Sequence, residues 1–174
     1  MKIRTGGPDD TADVLNLLDG AVAWLVSLGR TGQWGDQPWS SLPAAVERVH
    51  AYTGDADTFL VRLAEDEEGT VIGCCVVSEQ ANKHATVADE RELYVRNLVT
   101  DRSRKGSGIG AALIADALAE ARRRGIGLVR VDCYADGDRR LVGQYLELGF
   151  TPTETFEVEQ PSGLWRGQIL EIRV

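Results

Sequence analysis

The stretch Lys105-Gly106-Ser107-Gly108-Ile109-Gly110 decides how the rest of the chain is interpreted. It lies between an apolar run, Leu93–Val99, and a long amphipathic segment. A glycine-rich loop that opens a helix leaves backbone N–H groups without intrahelical partners, and these donors favour a phosphate. Glycine keeps that approach open and tolerates positive φ. With the basic residues Arg102 and Arg104 beside it, the stretch predicts a pyrophosphate cradle rather than an ordinary helix start.

The composition bounds the class of protein. The chain has 174 residues, of which 43% are hydrophobic, so we expect a single domain over residues 1–174 with a real core. Asp and Glu outnumber Lys and Arg by 27 to 19, which gives a formal net charge of −8. Because this balance lacks a basic footprint, we expect no nucleic-acid partner. An acidic surface attracts cationic substrates such as amines, although solubility alone also explains it.

The cysteines and histidines indicate neither disulfides nor a metal. Cys74, Cys75 and Cys133 are interpreted as buried free thiols in a reducing compartment. His50 and His84 have no companions at metal-ligand spacing, so no metal is expected. We find no signal peptide, no lipidation motif and no apolar run long enough to span a bilayer. We therefore expect a cytoplasmic protein without a membrane partner.

The apolar periodicity and the turn signals predict the order β-α-α-β-β-β-α-β-α-β-β. Only the β-α-β unit around the glycine loop requires a parallel pair. The fold class is therefore α/β (α+β), with a mixed, mostly antiparallel central sheet and helices on both faces. Ser40 or Ser41 is expected to cap the second helix. The predicted strands are Lys2–Thr5, Thr58–Ala64, Thr70–Ser78, Glu92–Val99, Leu128–Tyr134, Phe150–Glu159 and Leu164–Val174. The first helix is predicted from an apolar stripe at helical spacing, formed by Val14, Leu17, Leu18, Ala21, Leu25 and Leu28. The later helices are Leu42–Tyr52, the segment after the glycine loop, and Gly137–Leu148, with a turn at Pro161-Ser162-Gly163.

Three motifs follow one another along the chain: the strand end Leu98-Val99-Thr100, the glycine loop, and Gln144-Tyr145-Leu146-Glu147-Leu148-Gly149-Phe150. Together they resemble the GCN5-related N-acetyltransferases (GNAT), a family that transfers acetyl from acetyl-CoA to an amine. The loop is similar to the family pattern of Arg or Gln, two residues, Gly, one residue, and Gly or Ala. Lys105 stands in first place, so a cation is kept but the flat fork of arginine is lost. The last motif resembles Phe-Tyr-x-x-x-Gly-Phe, and the element order fits the acyl-CoA N-acyltransferase fold over essentially the whole chain.

This resemblance implies acetyl-CoA as the cosubstrate. Asp138 replaces a family asparagine; it still accepts a hydrogen bond but cannot donate an amide N–H. Tyr145 matches the residue that protonates the departing CoA sulfur, and an ordinary tyrosine pKa of about 10 suits that acid. A backbone N–H near Leu98 or Val99 would polarise the thioester carbonyl. The implied cofactor contacts are Leu98, Val99, Thr100, Arg104, Lys105, Gly106, Ser107, Gly108, Ile109, Gly110, Ala111, Asp138 and Tyr145.

The family mechanism is direct attack by a neutral primary amine, here of a small molecule or a peptide. Glu92, just before the cofactor strand, is the first candidate for the base, and Glu79 is the second. An exposed glutamate is more often only a solvated charge. Trp34, in a turn-rich loop, and Glu79 are the expected acceptor contacts. The last two strands are long enough to pair across a homodimer.

Two other functions are weighed. Gly106-x-Gly108-x-x-Ala111 formally fits the fingerprint of an NAD(P)-binding oxidoreductase, and Asp132 follows roughly 20 residues later, where a ribose-binding acid is expected. The long basic loop Thr100–Lys105 speaks against it, because the fingerprint turn normally follows its strand at once. A non-catalytic acyl-CoA-binding regulatory domain would keep the glycine loop but would have no use for Tyr145.

Overall fold

The computed structural model describes residues 1–161 and 163–174 and confirms the predicted order of elements. Ser162, predicted to lie in the turn before the last strand, is outside the described residues. Single turns of 3₁₀ helix occur at Pro8–Asp10, Trp39–Ser41 and Arg102–Arg104. The strands are β1 (Lys2–Thr5), β2 (Leu60–Glu65), β3 (Val71–Ser78), β4 (Glu92–Thr100), β5 (Leu128–Tyr134), β6 (Thr151–Gln160) and β7 (Gly163–Arg173), and the helices are α1 (Thr11–Ser27), α2 (Pro43–Gly54), α3 (Ile109–Arg123) and α4 (Arg140–Glu147).

The seven strands form one sheet in the order β1-β2-β3-β4-β5-β7-β6. Strands β4 and β5 are parallel, with Glu92–Val95 opposite Leu128–Val131. This is the pair that the β-α-β unit requires, because a parallel neighbour needs a crossover connection. The pairs β1/β2, β2/β3, β5/β7 and β6/β7 are antiparallel. The prediction of a mixed, mostly antiparallel sheet is therefore confirmed.

The chain forms two compact units, and β4 and α3 each contribute residues to both. The first unit comprises Met1–Val77 and Asn97–Ala117, and the second comprises Ser78–Arg96 and Leu118–Val174. In the first unit the apolar stripe of α1 packs with α2 on β2 and β3; Leu18, Val49 and Leu63 are fully buried there. In the second unit Ile169 and Leu170 of β7 are fully buried.

The expected serine cap of α2 is wrong. The residue before the helix is Leu42, and no side chain caps it. Ser40 instead donates its N–H and its hydroxyl to the carboxylate of Asp19, at 3.0 and 2.5 Å. Ser41 donates its hydroxyl to the carbonyl of Pro38 at 2.7 Å. Both serines therefore stabilise the 3₁₀ turn before α2, and Ser40 ties that turn to α1.

Candidate active site

The glycine loop has the geometry of an anion cradle. Gly106 and Gly108 have φ values of +84° and +78°, which favour glycine. The N–H of Ala112 donates to the carbonyl of Gly108 at 3.0 Å, the first hydrogen bond of α3. Within the described residues the N–H groups of Ile109, Gly110 and Ala111 have no acceptor. Three donors at the positive end of α3 are thus available to a phosphate.

The cations beside the loop have different partners. Arg104 pairs with Asp66 at 2.6 Å and with Asp101 at 3.5 Å. The guanidinium of Arg102 lies 4.0 Å from the ring centroid of Trp24, and burial lowers its pKa. Lys105 is exposed and has no ion pair with the part of the chain that the structure describes. Lys105 is therefore the cation most available to a bound anion.

A cavity of about 520 Å³ opens in the first unit beside the start of this loop. Asp13 and Asn16 of α1 line one part of it, Thr70 another, and Asp101 and Arg102 the part next to the glycine loop. Nε of Arg102 is buried and has no hydrogen-bond partner among the described residues. The predicted acceptor contact Trp34 also belongs to this unit, where its ring packs on Trp39 with centroids 5.5 Å apart.

The strand end Leu98-Val99-Thr100 continues β4 beyond its pairs with β5. The last of those pairs joins Val95 to Val131. Val99 is buried, whereas Leu98 and Thr100 are partly exposed. An extended main chain carries alternating donors and acceptors, so this segment can bind an extended ligand as a further strand would.

The second unit contains Tyr145 and Asp138. Tyr145 of α4 is buried, and its ring meets Phe150 edge to face with centroids 5.6 Å apart. Arg140 is the first residue of α4, and its N–H donates a hydrogen bond to the carboxylate of Asp138 at 3.1 Å. Asp138 therefore satisfies one of the donors at the start of that helix. The predicted roles of both residues toward the cofactor stay predictions.

Glu92 forms a buried ion pair. Its carboxylate accepts two hydrogen bonds from Arg130, at 2.5 and 2.7 Å, and the two side chains are 8% and 7% exposed. Arg130 also donates to the carbonyl of Thr86 at 2.9 Å. Glu92 stays a predicted base, but these contacts weigh against it, because an amine would have to compete with a buried guanidinium for the same two oxygens.

Glu79, the second predicted base, is also ion-paired. It contacts Arg91 at 3.0 Å and Arg124 at 3.2 Å. Partial burial raises the pKa of Glu79, but the hydrogen bonds from both arginines outweigh it, so that the pKa is lowered. A carboxylate with a lowered pKa is a weaker base. Its predicted roles as base and acceptor contact are not tested by these contacts.

The comparison that decides the family is the match of residues 24–150 to the model of the acetyltransferase (GNAT) family. The chain belongs to the GNAT family. No curated protein sequence matches the chain.

Solved GNAT-fold structures are similar over the whole chain. A ribosomal-protein-alanine N-acetyltransferase from Brucella melitensis has 20% identity and a TM-score of 0.72, covering 100% of both chains. The ribosomal-protein-S18-alanine N-acetyltransferase from Escherichia coli has 15% identity and a TM-score of 0.70, covering 99% of this chain and 93% of its own. An N-acetyltransferase from Staphylococcus aureus Mu50 has 14% identity and a TM-score of 0.70, covering 99% and 97%. At these identities the likeness shows the fold alone.

The remaining chemistry of this GNAT chain involves its thiols. Burial is the main reason why the pKa values of Cys75 and Cys133 are each raised to about 12, and burial also raises the pKa of Cys74. All three are free, so a packed thiol describes each of them better than a nucleophile does. Within the described residues, no group of three or more His, Cys, Asp or Glu could hold a metal, and no helix is long and apolar enough to cross a membrane.

Sequence reasoning missed one cluster in this GNAT fold. The hydroxyl of Tyr94 donates to Oδ1 of Asp132 at 2.8 Å, and the amide of Asn82 donates to the same oxygen at 3.0 Å. In the sequence Asp132 is a candidate only for the ribose-binding acid of the oxidoreductase alternative. The signal that could have found the cluster is the alternation in β5, where the charges of Arg130 and Asp132 interrupt an otherwise apolar strand at the same face.

Proposed function

We propose that this GNAT-family protein transfers the acetyl group of acetyl-CoA to a primary amine of a small molecule or peptide, by direct attack of the neutral amine on the thioester. The observation that carries the proposal is the set of three N–H groups, of Ile109, Gly110 and Ala111, for which the described part of the chain provides no acceptor. A Cβ added at Gly106 or Gly108 would meet nothing within 4 Å, so ligand atoms can approach the main chain there. The residues present therefore fit a pyrophosphate.

The predicted cofactor residues take the following roles in this proposal. The glycine loop and Lys105 bind the pyrophosphate, and the main chain of Leu98–Thr100 binds the extended arm of the cofactor. A backbone N–H near Leu98 or Val99 stabilises the oxyanion that forms during attack. Tyr145 gives its proton to the leaving sulfur. Bound acetyl-CoA supplies the activated acetyl group.

The alternatives have less support. The family match speaks against the NAD(P)-binding oxidoreductase, whose fingerprint the loop fits only formally. A non-catalytic acyl-CoA-binding domain would bind the cofactor without releasing CoA. A panel of amines with detection of the CoA thiol distinguishes the acetyltransferase from this binding domain, since only an enzyme releases CoA in proportion to acetylated amine.

The first test is thermal unfolding with acetyl-CoA, CoA, NAD and NADP in parallel. A ligand at about a hundred times its dissociation constant stabilises the folded protein by roughly 2.7 kcal/mol. For a chain of this length that raises Tm by roughly 5–11 °C. We expect a rise with acetyl-CoA and CoA only. A rise with NAD or NADP alone would overturn the proposal.

The sharper test compares two glycines with the same backbone strain. Gly108 directly precedes α3 with φ +78°, and Gly125 follows its end with φ +67°; a Cβ has open space at both. An alanine at either position therefore costs about 1–2 kcal/mol through positive φ. Only Gly108→Ala should also weaken acetyl-CoA binding, by about tenfold or more in calorimetry, because its methyl group meets the phosphate. Equal acetyl-CoA affinity in Gly108→Ala and Gly125→Ala would refute the cradle.

A further inference from the structure

One face of β5 in the second unit combines a carboxylate with aromatic rings. Arg130, Asp132 and Tyr134 alternate along β5, so their side chains leave the sheet on the same side. The segment 79–91 lies against this side, where Asn82 contacts Asp132 and the ring of His84 stacks on Phe156 with centroids 5.2 Å apart.

Asp132 differs from the other acids of this face in its partners. Both of its hydrogen bonds come from neutral groups, the hydroxyl of Tyr94 and the amide of Asn82, and both end at Oδ1. Within the described residues Oδ2 accepts no hydrogen bond and the carboxylate forms no ion pair. Glu92 and Glu154, by contrast, both contact Arg130. Asp132 is therefore a partly buried negative charge with one oxygen available and no cation in contact.

The rings beside Asp132 form an aromatic wall, which we define as Tyr134, Phe156 and Trp165. The centroid of Trp165 lies 5.8 Å from Tyr134 and 5.7 Å from Phe156, and all three side chains are partly exposed. Gly167, opposite both Tyr134 and Phe156 in the sheet, makes this possible. A Cβ at Gly167 would lie only 2.4 Å from the ring of Phe156, so any side chain there would push the ring away.

We propose that Asp132 binds the ammonium group of the acceptor amine and that the aromatic wall contacts the apolar part of the same molecule. A carboxylate beside aromatic faces recognises a cation that carries an apolar body, since the rings attract the charge and cover the carbon atoms. The substrate class is therefore a primary amine next to an aromatic or bulky apolar group. This inference rests on the proposed function and names its acceptor site.

In the proposed reaction Asp132 is the first proton acceptor. The ammonium group loses one proton to Asp132, which releases it to solvent, and the neutral nitrogen then bonds to the thioester carbonyl carbon. As the carbon–sulfur bond breaks, sulfur takes the proton of Tyr145, and the second proton lost by nitrogen restores the tyrosine. The products are the amide, the CoA thiol and one proton in solution.

Asp132→Asn isolates the charge from the structural contacts. An asparagine Oδ1 can accept the same two hydrogen bonds from Tyr94 and Asn82, so a purely structural role survives the substitution. Asp89→Asn is the matched control: Asp89 is exposed in the segment 79–91 and has no hydrogen bond or ion pair with the described residues. Both variants should bind CoA as the wild type does.

The experiment titrates 2-phenylethylamine and its neutral analogue 2-phenylethanol into the CoA complex by calorimetry, where no acetyl transfer occurs. We expect the amine to bind about tenfold or more tightly than the alcohol in the wild type and in Asp89→Asn. In Asp132→Asn the two ligands should bind within about threefold of each other. With acetyl-CoA, the same variant should raise KM for the amine more than it lowers kcat.

The outcomes separate the two proposals. An undiminished preference for the amine in Asp132→Asn, or no preference in the wild type, would overturn the acceptor site while CoA binding still supported the transferase. Failure to bind CoA or acetyl-CoA would overturn the proposed function. The comparison of amine with alcohol would then be made on the protein alone, and loss of the preference in Asp132→Asn would still support Asp132 as an ammonium site.

Discussion

Replacing Glu92 with glutamine distinguishes a structural carboxylate from a catalytic base. Glu92 and Arg130 are joined by two short hydrogen bonds in the interior of the second unit, and each side chain is less than a tenth exposed. Glutamine keeps the size of the side chain but loses its charge. Arg130 is then left as a buried cation without its main counter-ion, and we expect the folded protein to lose stability.

The size of the expected loss of stability depends on the contacts that Arg130 keeps in the Glu92→Gln variant. Removing one partner of a buried ion pair costs about 3–5 kcal/mol. Arg130 still donates to the carbonyl of Thr86 at 2.9 Å and lies 3.7 Å from the carboxylate of Glu154. The loss should therefore be near the lower end, about 3 kcal/mol, which for a chain of this length lowers Tm by roughly 6–12 °C.

Urea unfolding of Glu92→Gln and Glu90→Gln measures the difference. Glu90 pairs with Arg173 at 2.5 Å, but both side chains are about half exposed and solvent screens the pair, so this control should keep nearly the stability of the wild type. Acetyl transfer by the folded fraction of Glu92→Gln should change little. Wild-type stability together with a loss of turnover of about 10²–10⁴-fold would refute the structural reading and make Glu92 the base.

Two further predictions concern the leaving group and acid sensitivity. Tyr145→Phe should lower kcat by about 10²-fold or more while leaving the dissociation constant of acetyl-CoA unchanged, since the hydroxyl acts only as sulfur departs; unchanged turnover with chemistry rate-limiting would remove that role. Hydrogen bonds from Arg4 lower the pKa of Asp10 despite its burial, so its stabilisation is present above the ordinary aspartate pKa and is lost as pH falls through the lowered one. Asp10→Asn should therefore be less stable than the wild type at pH 7 and lose less stability on acidification, as urea unfolding at both pH values would reveal; an equal loss in both proteins would contradict this.

Much of the fold could be predicted because local pattern and burial agree. The stripe of α1 carries Val14, Leu18 and Leu25 at helical spacing, and all three are buried. The parallel pairing of β4 with β5 follows from the helix between them.

Boundaries were less predictable where a single residue has an unusual conformation. The fourth helix was predicted from Gly137 but begins at Arg140, because Arg139 has a left-handed φ of +52°. The sequence does not predict a positive φ at Arg139, because this conformation is uncommon for residues other than glycine. Asp138 then accepts a hydrogen bond from the N–H of Arg140, which a pattern of apolar residues cannot predict.

The candidate site also contains features that the sequence could predict and features that it could not. The glycine loop could be predicted because its chemistry depends on neighbouring residues and on the start of one helix. The partner of Glu92 could not, because Arg130 is 38 residues away and meets it only through the register of β4 and β5. The sequence indicates a base at Glu92 only because this glutamate precedes the cofactor strand, and that position does not reveal its ion pair.

The contrast between Glu92 and Asp132 shows why partners, rather than residue type, decide what a carboxylate can do here. Both lie in the second unit, on the adjacent strands β4 and β5. Glu92 gives both oxygens to Arg130, so its charge is neutralised and its acceptor capacity is largely used. Asp132 receives two neutral donors at one oxygen, which orient the carboxylate without cancelling its charge. A substrate cation would therefore gain an ion pair at Asp132 but would have to displace one at Glu92. If acetyl transfer to an amine occurs in this protein, the acceptor nitrogen should be bound at the carboxylate whose charge is not already paired.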